Sequence, residues 1–124
     1  MADVASNLFD PNVTFHHSKL NFGWYDNSNT LKWHQDIQFF PHTNYNVLTI
    51  GYYLEDTDMN NEPLAVLKAS HQNDLFEPYD KNGSRTKMLS DEDGETVDMS
   101  MVDYLTGNAG SITIHNARAL HFSP

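Results

Sequence analysis

The sequence predicts an all-β fold, a sandwich or barrel, and three observations support it. Several short segments alternate apolar and polar residues with a period of two. Clusters of Asn, Asp, Gly and Pro separate those segments, and hardly any stretch spaces its apolar residues as a helix would. No internal repeat is present. Among such folds a jelly roll suits the chemistry argued below, because side chains from two facing sheets converge inside it.

In chain order, residues 2–9 read as the tail of a helix with Val4, Ala5, Leu8 and Phe9 on one side, ended by Asp10-Pro11-Asn12. Residues 13–22 read as a strand, with Val13, Phe15, His17 and Lys19 on one face. Residues 25–30 are a polar loop, and residues 31–40 are the next extended segment. After a turn over 41–46, residues 47–54 are apolar almost throughout, which predicts a central strand covered on both faces. A polar turn over 56–63 leads into a short strand at 64–67. Residues 72–100 form a long polar excursion, with an acidic knot at Asp91-Glu92-Asp93, whose exposed loops are expected to border a site. Residues 99–105 are a strand or a helical turn, 107–110 a turn, and 111–122 one or two closing strands.

At 124 residues and 39% hydrophobic content the chain is expected to be one domain, burying roughly two-thirds of its unfolded surface. Seventeen acidic residues against seven basic ones give a formal charge of −10. That balance argues against nucleic acid or an anionic membrane surface as a partner, since both require basic patches. With no cysteine, disulfides and thiolate metal sites are excluded. No apolar run approaches the ~20 residues of a membrane span. Residues 1–7 lack the layout of a signal peptide, so a cytoplasmic protein is expected.

The chemistry concentrates in His34-Gln35-Asp36. On an extended segment a histidine and a carboxylate two apart share a face. A second histidine from a distant strand would complete two imidazoles and one carboxylate, a set that leaves one face of a metal open. The triplet alone decides nothing, because seven histidines and twelve aspartates make one His-x-Asp close to a chance event. Its surroundings weigh more: Trp33, Ile37, Phe39 and Phe40 predict burial, and a buried carboxylate needs a cation or several donors to stay ionised. The candidates for the second histidine are His115 and His121. In one unbroken strand they would share a face but stand about 20 Å apart, too far to ligate one ion together, and spacing does not choose between them. His16, His17, His42 and His71 read as strand, turn or loop histidines.

Five blocks in order resemble the phytanoyl-CoA dioxygenase family of Fe(II)/2-oxoglutarate-dependent oxygenases, over residues 4–124. They are His16-His17-Ser18-Lys19-Leu20-Asn21-Phe22; Trp33-His34-Gln35-Asp36 with Phe39-Phe40-Pro41; Glu55-Asp56-Thr57 with Asn60-Asn61-Glu62-Pro63-Leu64; Ser70-His71; and the stretch from Gly110-Ser111 through His115 and Arg118 to His121-Phe122-Ser123. The resemblance implies a double-stranded β-helix with Fe(II) held by His34, Asp36 and His121, and it puts His115 on a non-ligand position. It further implies 2-oxoglutarate as co-substrate, converted to succinate and carbon dioxide while O2 hydroxylates a small organic substrate. Tyr52 falls where the family has an aromatic residue near the oxoglutarate, and Gln35 is assigned to packing or the substrate side. Asp36 argues against the halogenating branch, which lacks that carboxylate.

The sequence also departs from the family. Lys68-Ala69 stand where Pro-Gly is usual, and the lysine often found at the end of the first strand is replaced around Gly23. Family members continue past the distal histidine into a strand whose arginine pairs with the far carboxylate of 2-oxoglutarate. Here the arginines are Arg85 and Arg118, and neither sits at that position. The resemblance therefore predicts a core lacking both flanks, with exposed edges that favour self-association and with weakened activity. Two other readings stay open: a cupin-like metal-binding jelly roll without oxoglutarate chemistry, and a non-catalytic interaction module.

Overall fold

Alternation in a sequence becomes sheet only where a neighbouring strand completes the hydrogen-bond ladder. A computed structural model of the chain describes residues 2–9, 11–20 and 31–123. Its regular structure is mostly antiparallel sheet. The strands are β1 (Leu31–His34), β2 (Leu48–Tyr52), β3 (Ala65–Leu67), β4 (Val102–Tyr104), β5 (Ile112–Asn116) and β6 (His121–Ser123). Among the described residues, β1-β6-β3-β4 form one sheet in that order and β2-β5 a second, every pair antiparallel. No described helix is long and apolar enough to cross a membrane.

The N-terminal helix is present as α1 (Ala2–Leu8), with Asp3 in its first turn and no buried side chain. The strand expected over 13–22 is not formed within 13–20, and the rest of it, like the 25–30 loop and Gly23, lies outside the described residues. Phe15 is 77% exposed and Leu20 60%, so the alternation there has no core to face. His16 and His17 instead rest on the Phe40 ring.

Residues 31–40 do not stay extended. β1 ends at His34, and a single helical turn, α2 (Asp36–Phe39), follows. Phe40 donates its N–H to the Asp36 carbonyl, closing the turn. Pro41 disfavours helix at Phe40, which leaves the helical region at φ −126°, ψ 73°. Gln35, between strand and turn, keeps an extended backbone at φ −120°, ψ 126°.

The strand expected to be covered on both faces is β2, and it is not. None of its residues is fully buried, and Tyr52 is 53% exposed. Among the described residues it pairs only with β5. The closing segment makes two strands, because the chain turns between them: Ala119 donates its N–H to the Asn116 carbonyl and Arg118 to the Asn116 side chain. Residues 99–105 combine both expected forms, a 3-10 turn at Met99–Met101 and then β4.

Among the described residues the buried set is small and unusually polar. Trp33, Ile37, Ala65, Ala117 and Ala119 are the apolar members, and His34, Gln35, Gln38, Ser70, His115 and His121 are buried beside them. Trp33 stacks on Phe122 across the β1–β6 pair, ring centres 4.4 Å apart. Gln35 ties the site to its surroundings: its amide donates to the Arg118 carbonyl and its oxygen accepts the Phe76 N–H. Such a core is organised around a polar centre rather than an oily one.

Ala69 adopts the left-handed region at φ 58°, at the position where the family resemblance leads one to expect glycine. A Cβ there costs about 1–2 kcal/mol, whereas glycine costs about 0.5–1 kcal/mol in unfolded-state entropy. Ala69→Gly should therefore raise stability by about 0.5–1 kcal/mol in urea unfolding. A lower midpoint would mean that the backbone is not held in that region.

Candidate metal centre

His34 ends β1, His121 begins β6, and the two are register partners on adjacent strands. Partners directly opposite in an antiparallel pair present their side chains on one face, and the two imidazoles stand with ring centres 4.2 Å apart. The extended Gln35 then returns Asp36 to that face, and the Ile37 N–H bonded to the Ala117 carbonyl anchors the turn behind it. The structure thus brings His34, Asp36 and His121 together: one donor atom from each lies within 4.8 Å of the others.

The tautomers follow from the backbone. His34 Nδ1 lies 2.8 Å from the Lys32 carbonyl, and His121 Nδ1 lies 2.9 Å from the Ala119 carbonyl. A carbonyl can only accept, so each Nδ1 carries the proton and each Nε2 presents a lone pair. Those lone-pair atoms face one carboxylate oxygen. Asp36 Oδ1 is 3.9 Å from His34 Nε2 and 3.7 Å from His121 Nε2. Two metal–ligand bonds of about 2.0–2.2 Å, the range of zinc sites, bridge up to about 4 Å. Two inward lone pairs on buried imidazoles and one part-buried carboxylate, lacking a donor between them, form a set that a divalent cation satisfies. The residues fit such an ion.

The other oxygen of Asp36 is already bound within the protein. Thr49 Oγ1 donates to Oδ2 at 2.5 Å, and His115 Nε2 lies 3.3 Å from the same atom. Burial works to raise the Asp36 carboxyl, but the His115 contact, the nearby His121 and the Thr49 hydroxyl together hold it well below the usual carboxylate range. Burial lowers His34 and outweighs the pull of the Lys32 carbonyl and Asp36, and the charge of Lys19 adds to the lowering. Burial, then His115 and His34, push His121 down to about 4.

This last shift has a consequence for the chelator-treated chain. Between the ordinary histidine value of 6.5 and about 4 the unfolded chain binds a proton at His121 that the folded chain does not. Stability should accordingly fall as pH drops through that window, on the order of 3 kcal/mol in all, with His34 adding to the same sign. Urea unfolding in EDTA at several pH values checks it. A flat profile would mean that the imidazoles are hydrated in the folded chain.

Other residues singled out in the sequence lie elsewhere. His115 sits beside the centre, its ring 4.5 Å from that of His121, but outside the three-residue donor group. Tyr52 is not brought to the triad. It stands three positions from Thr49 on β2, hence on the opposite face of that strand, and is half exposed. Neither arginine faces the centre: Arg85 donates to the Gln38 carbonyl, and Arg118 donates to the Asn73 carbonyl and stacks on Tyr45. Sequence reasoning missed Thr49. Its signal was a lone polar residue within the apolar run 47–54.

Residues 1–124 match the family model described as phytanoyl-CoA dioxygenase. A curated relative from Stutzerimonas stutzeri, a probable alpha-ketoglutarate-dependent hypophosphite dioxygenase, is 32% identical over 125 residues. The match takes in 99% of this chain, which spans 43% of the length of that relative.

Proposed function

Because the chain belongs to the phytanoyl-CoA dioxygenase family, we propose that it carries the iron centre of a non-haem Fe(II)/2-oxoglutarate-dependent dioxygenase acting on a small molecule. The observation that carries this reading is the pair of inward Nε2 lone pairs set against Asp36 Oδ1. We read the antiparallel sheets as parts of a double-stranded β-helix, since side chains of both sheets meet at Asp36.

Fe(II) with 2-oxoglutarate, when bound, supplies the oxidative decarboxylation that gives succinate and carbon dioxide and transfers oxygen from O2 to the substrate. The protein's part is to hold and orient. His34 and His121 keep their lone pairs inward because backbone carbonyls hold their other nitrogens. Asp36 adds the negative charge that favours a divalent ion over water. Three protein donors would leave positions on the ion free for the co-substrate and O2.

The substrate is proposed only as a class, a small organic molecule. Hypophosphite, named for the Stutzerimonas relative, is a second compound to assay. Succinate release tests the reading. It is expected to require Fe(II), to stop with a chelator, and to be measured both on the 124-residue chain and on a longer version bearing a further arginine-carrying strand. Metal binding without any succinate from the longer version would replace the dioxygenase reading with a cupin-like metal-binding jelly roll.

A further inference from the structure

Three histidines meet at Asp36, and they do not present the same atom to it. His34 and His121 turn lone pairs inward, as their Nδ1 protons are taken by carbonyls two residues back. His115 has no such carbonyl. Its Nδ1 is buried and has no partner among the described residues, while its Nε2 lies 3.3 Å from Asp36 Oδ2. A carboxylate only accepts, so Nε2 carries the proton and donates, and the unpartnered Nδ1 is the lone pair left over.

Thr49 makes the same kind of contact, its hydroxyl donating to Oδ2 at 2.5 Å. Thr49 and His115 are register partners on β2 and β5. Directly opposite residues in an antiparallel pair stand side by side on one face, so this two-stranded sheet delivers two donors to one oxygen. Oδ1 meanwhile faces the lone pairs of His34 and His121.

We propose that Thr49 and His115 are positioning residues that together hold Asp36 Oδ2, so that the carboxylate offers only Oδ1 to the ion. This rests on the reading of His34, Asp36 and His121 as the iron ligands. A carboxylate free to rotate can chelate through both oxygens and so take a second coordination position. One whose outer oxygen accepts two protein hydrogen bonds gives up only one position, leaving the others for co-substrate and O2. The proton on His115 Nε2 also explains why a histidine so close to the centre is not a fourth ligand. The clamp and the ligands come from different sheets, so it also fixes how the β2-β5 pair sits against β1 and β6.

Co(II) provides a probe that needs neither 2-oxoglutarate nor turnover. The 124-residue chain should bind one Co(II), with a visible d–d spectrum that reports its coordination. Thr49→Val, which keeps the shape and removes the hydroxyl, should weaken Co(II) about 10–100-fold and change the intensity of that spectrum. Thr49→Ser should restore both to within a few-fold of the parent chain. His115→Phe should act like Thr49→Val, and His115→Gln, whose amide can still donate, should recover part of the loss. Urea unfolding in EDTA accompanies each variant, since a merely structural role would lower that midpoint while leaving the spectrum of bound Co(II) as it was. Parent-like affinity and spectrum in both Thr49→Val and His115→Phe would overturn the clamp. If either variant fails to fold, the comparison of Thr49→Ser with His115→Gln decides, because loss of the parent spectrum in both conservative variants would also overturn it. If the parent chain binds no Co(II), or Asp36→Ala leaves binding intact, the ligand reading itself fails and takes the clamp with it.

Discussion

Replacing Asp36 with alanine should abolish stoichiometric divalent-metal binding and all Fe(II)-dependent succinate release from the longer chain. The carboxylate is the only negative charge in the donor group, and its removal leaves two neutral imidazoles facing an empty volume. Neutral histidines alone hold an Fe(II)-class ion poorly, and oxygen donors matter most toward the hard end of the divalent series. His34→Ala and His121→Ala should have the same sense of effect, each removing one inward lone pair. The expected loss in metal affinity exceeds 100-fold for Asp36→Ala, beyond the ~10–100-fold typical of residues that act through a ligand. Titration with Fe(II) under anaerobic conditions reads it directly. Asp36→Ala should also lower the urea midpoint of the chelator-treated chain, since the folded state favours the ionised carboxylate and its removal leaves the Thr49 and His115 donors without an acceptor. Parent-like metal binding in that variant would place the ion elsewhere.

The second large effect concerns the co-substrate. The 124-residue chain, assayed by itself, should bind 2-oxoglutarate some ten- to a hundredfold more weakly than the version carrying a further arginine. A charge-assisted bidentate contact between guanidinium and carboxylate contributes roughly 1.5–3 kcal/mol, which sets that range. Arg85 and Arg118 cannot supply it where they stand. Both spend their guanidinium groups on backbone carbonyls, and Arg118 is further held by its stacking on Tyr45. Calorimetric titration of 2-oxoglutarate into the Mn(II)-loaded proteins measures the difference. Equal affinity in the two lengths would mean that another cation anchors the distal carboxylate.

His34 and Asp36 do share a face, yet for a reason the sequence did not display. Sharing a face requires only that Gln35 be extended, and it is, although the helical turn begins one residue later. That turn was illegible because it depends on Pro41 and on the distant Ala117 carbonyl that accepts the Ile37 N–H. The choice of His121 over His115 came from the family register and not from spacing. The structure shows why spacing could not decide: a turn after Asn116 folds the two histidines onto each other, rings 4.5 Å apart, where an unbroken strand would have separated them. Local patterns gave α1, β3 and β5-β6 closely, since Gly, Pro or Asn bounds each of those runs on at least one side. They misjudged residues 13–20, where alternation met no neighbouring strand, and β2, where one face looks toward a polar centre. Thr49 escaped notice for the same reason. Its importance lies in a partner thirteen residues away and in a strand pairing that no local window contains.

A crystal of the chain loaded with Mn(II) as a stand-in for Fe(II), with the ion located by its anomalous scattering, tests the central claim most directly. One peak is expected, bonded to His34 Nε2, His121 Nε2 and Asp36 Oδ1, with Asp36 Oδ2 still on Thr49 and His115. A peak ligated by His115, or one among His16, His17 and His42, whose rings lie together beside Phe40, with the triad passed over, would contradict it.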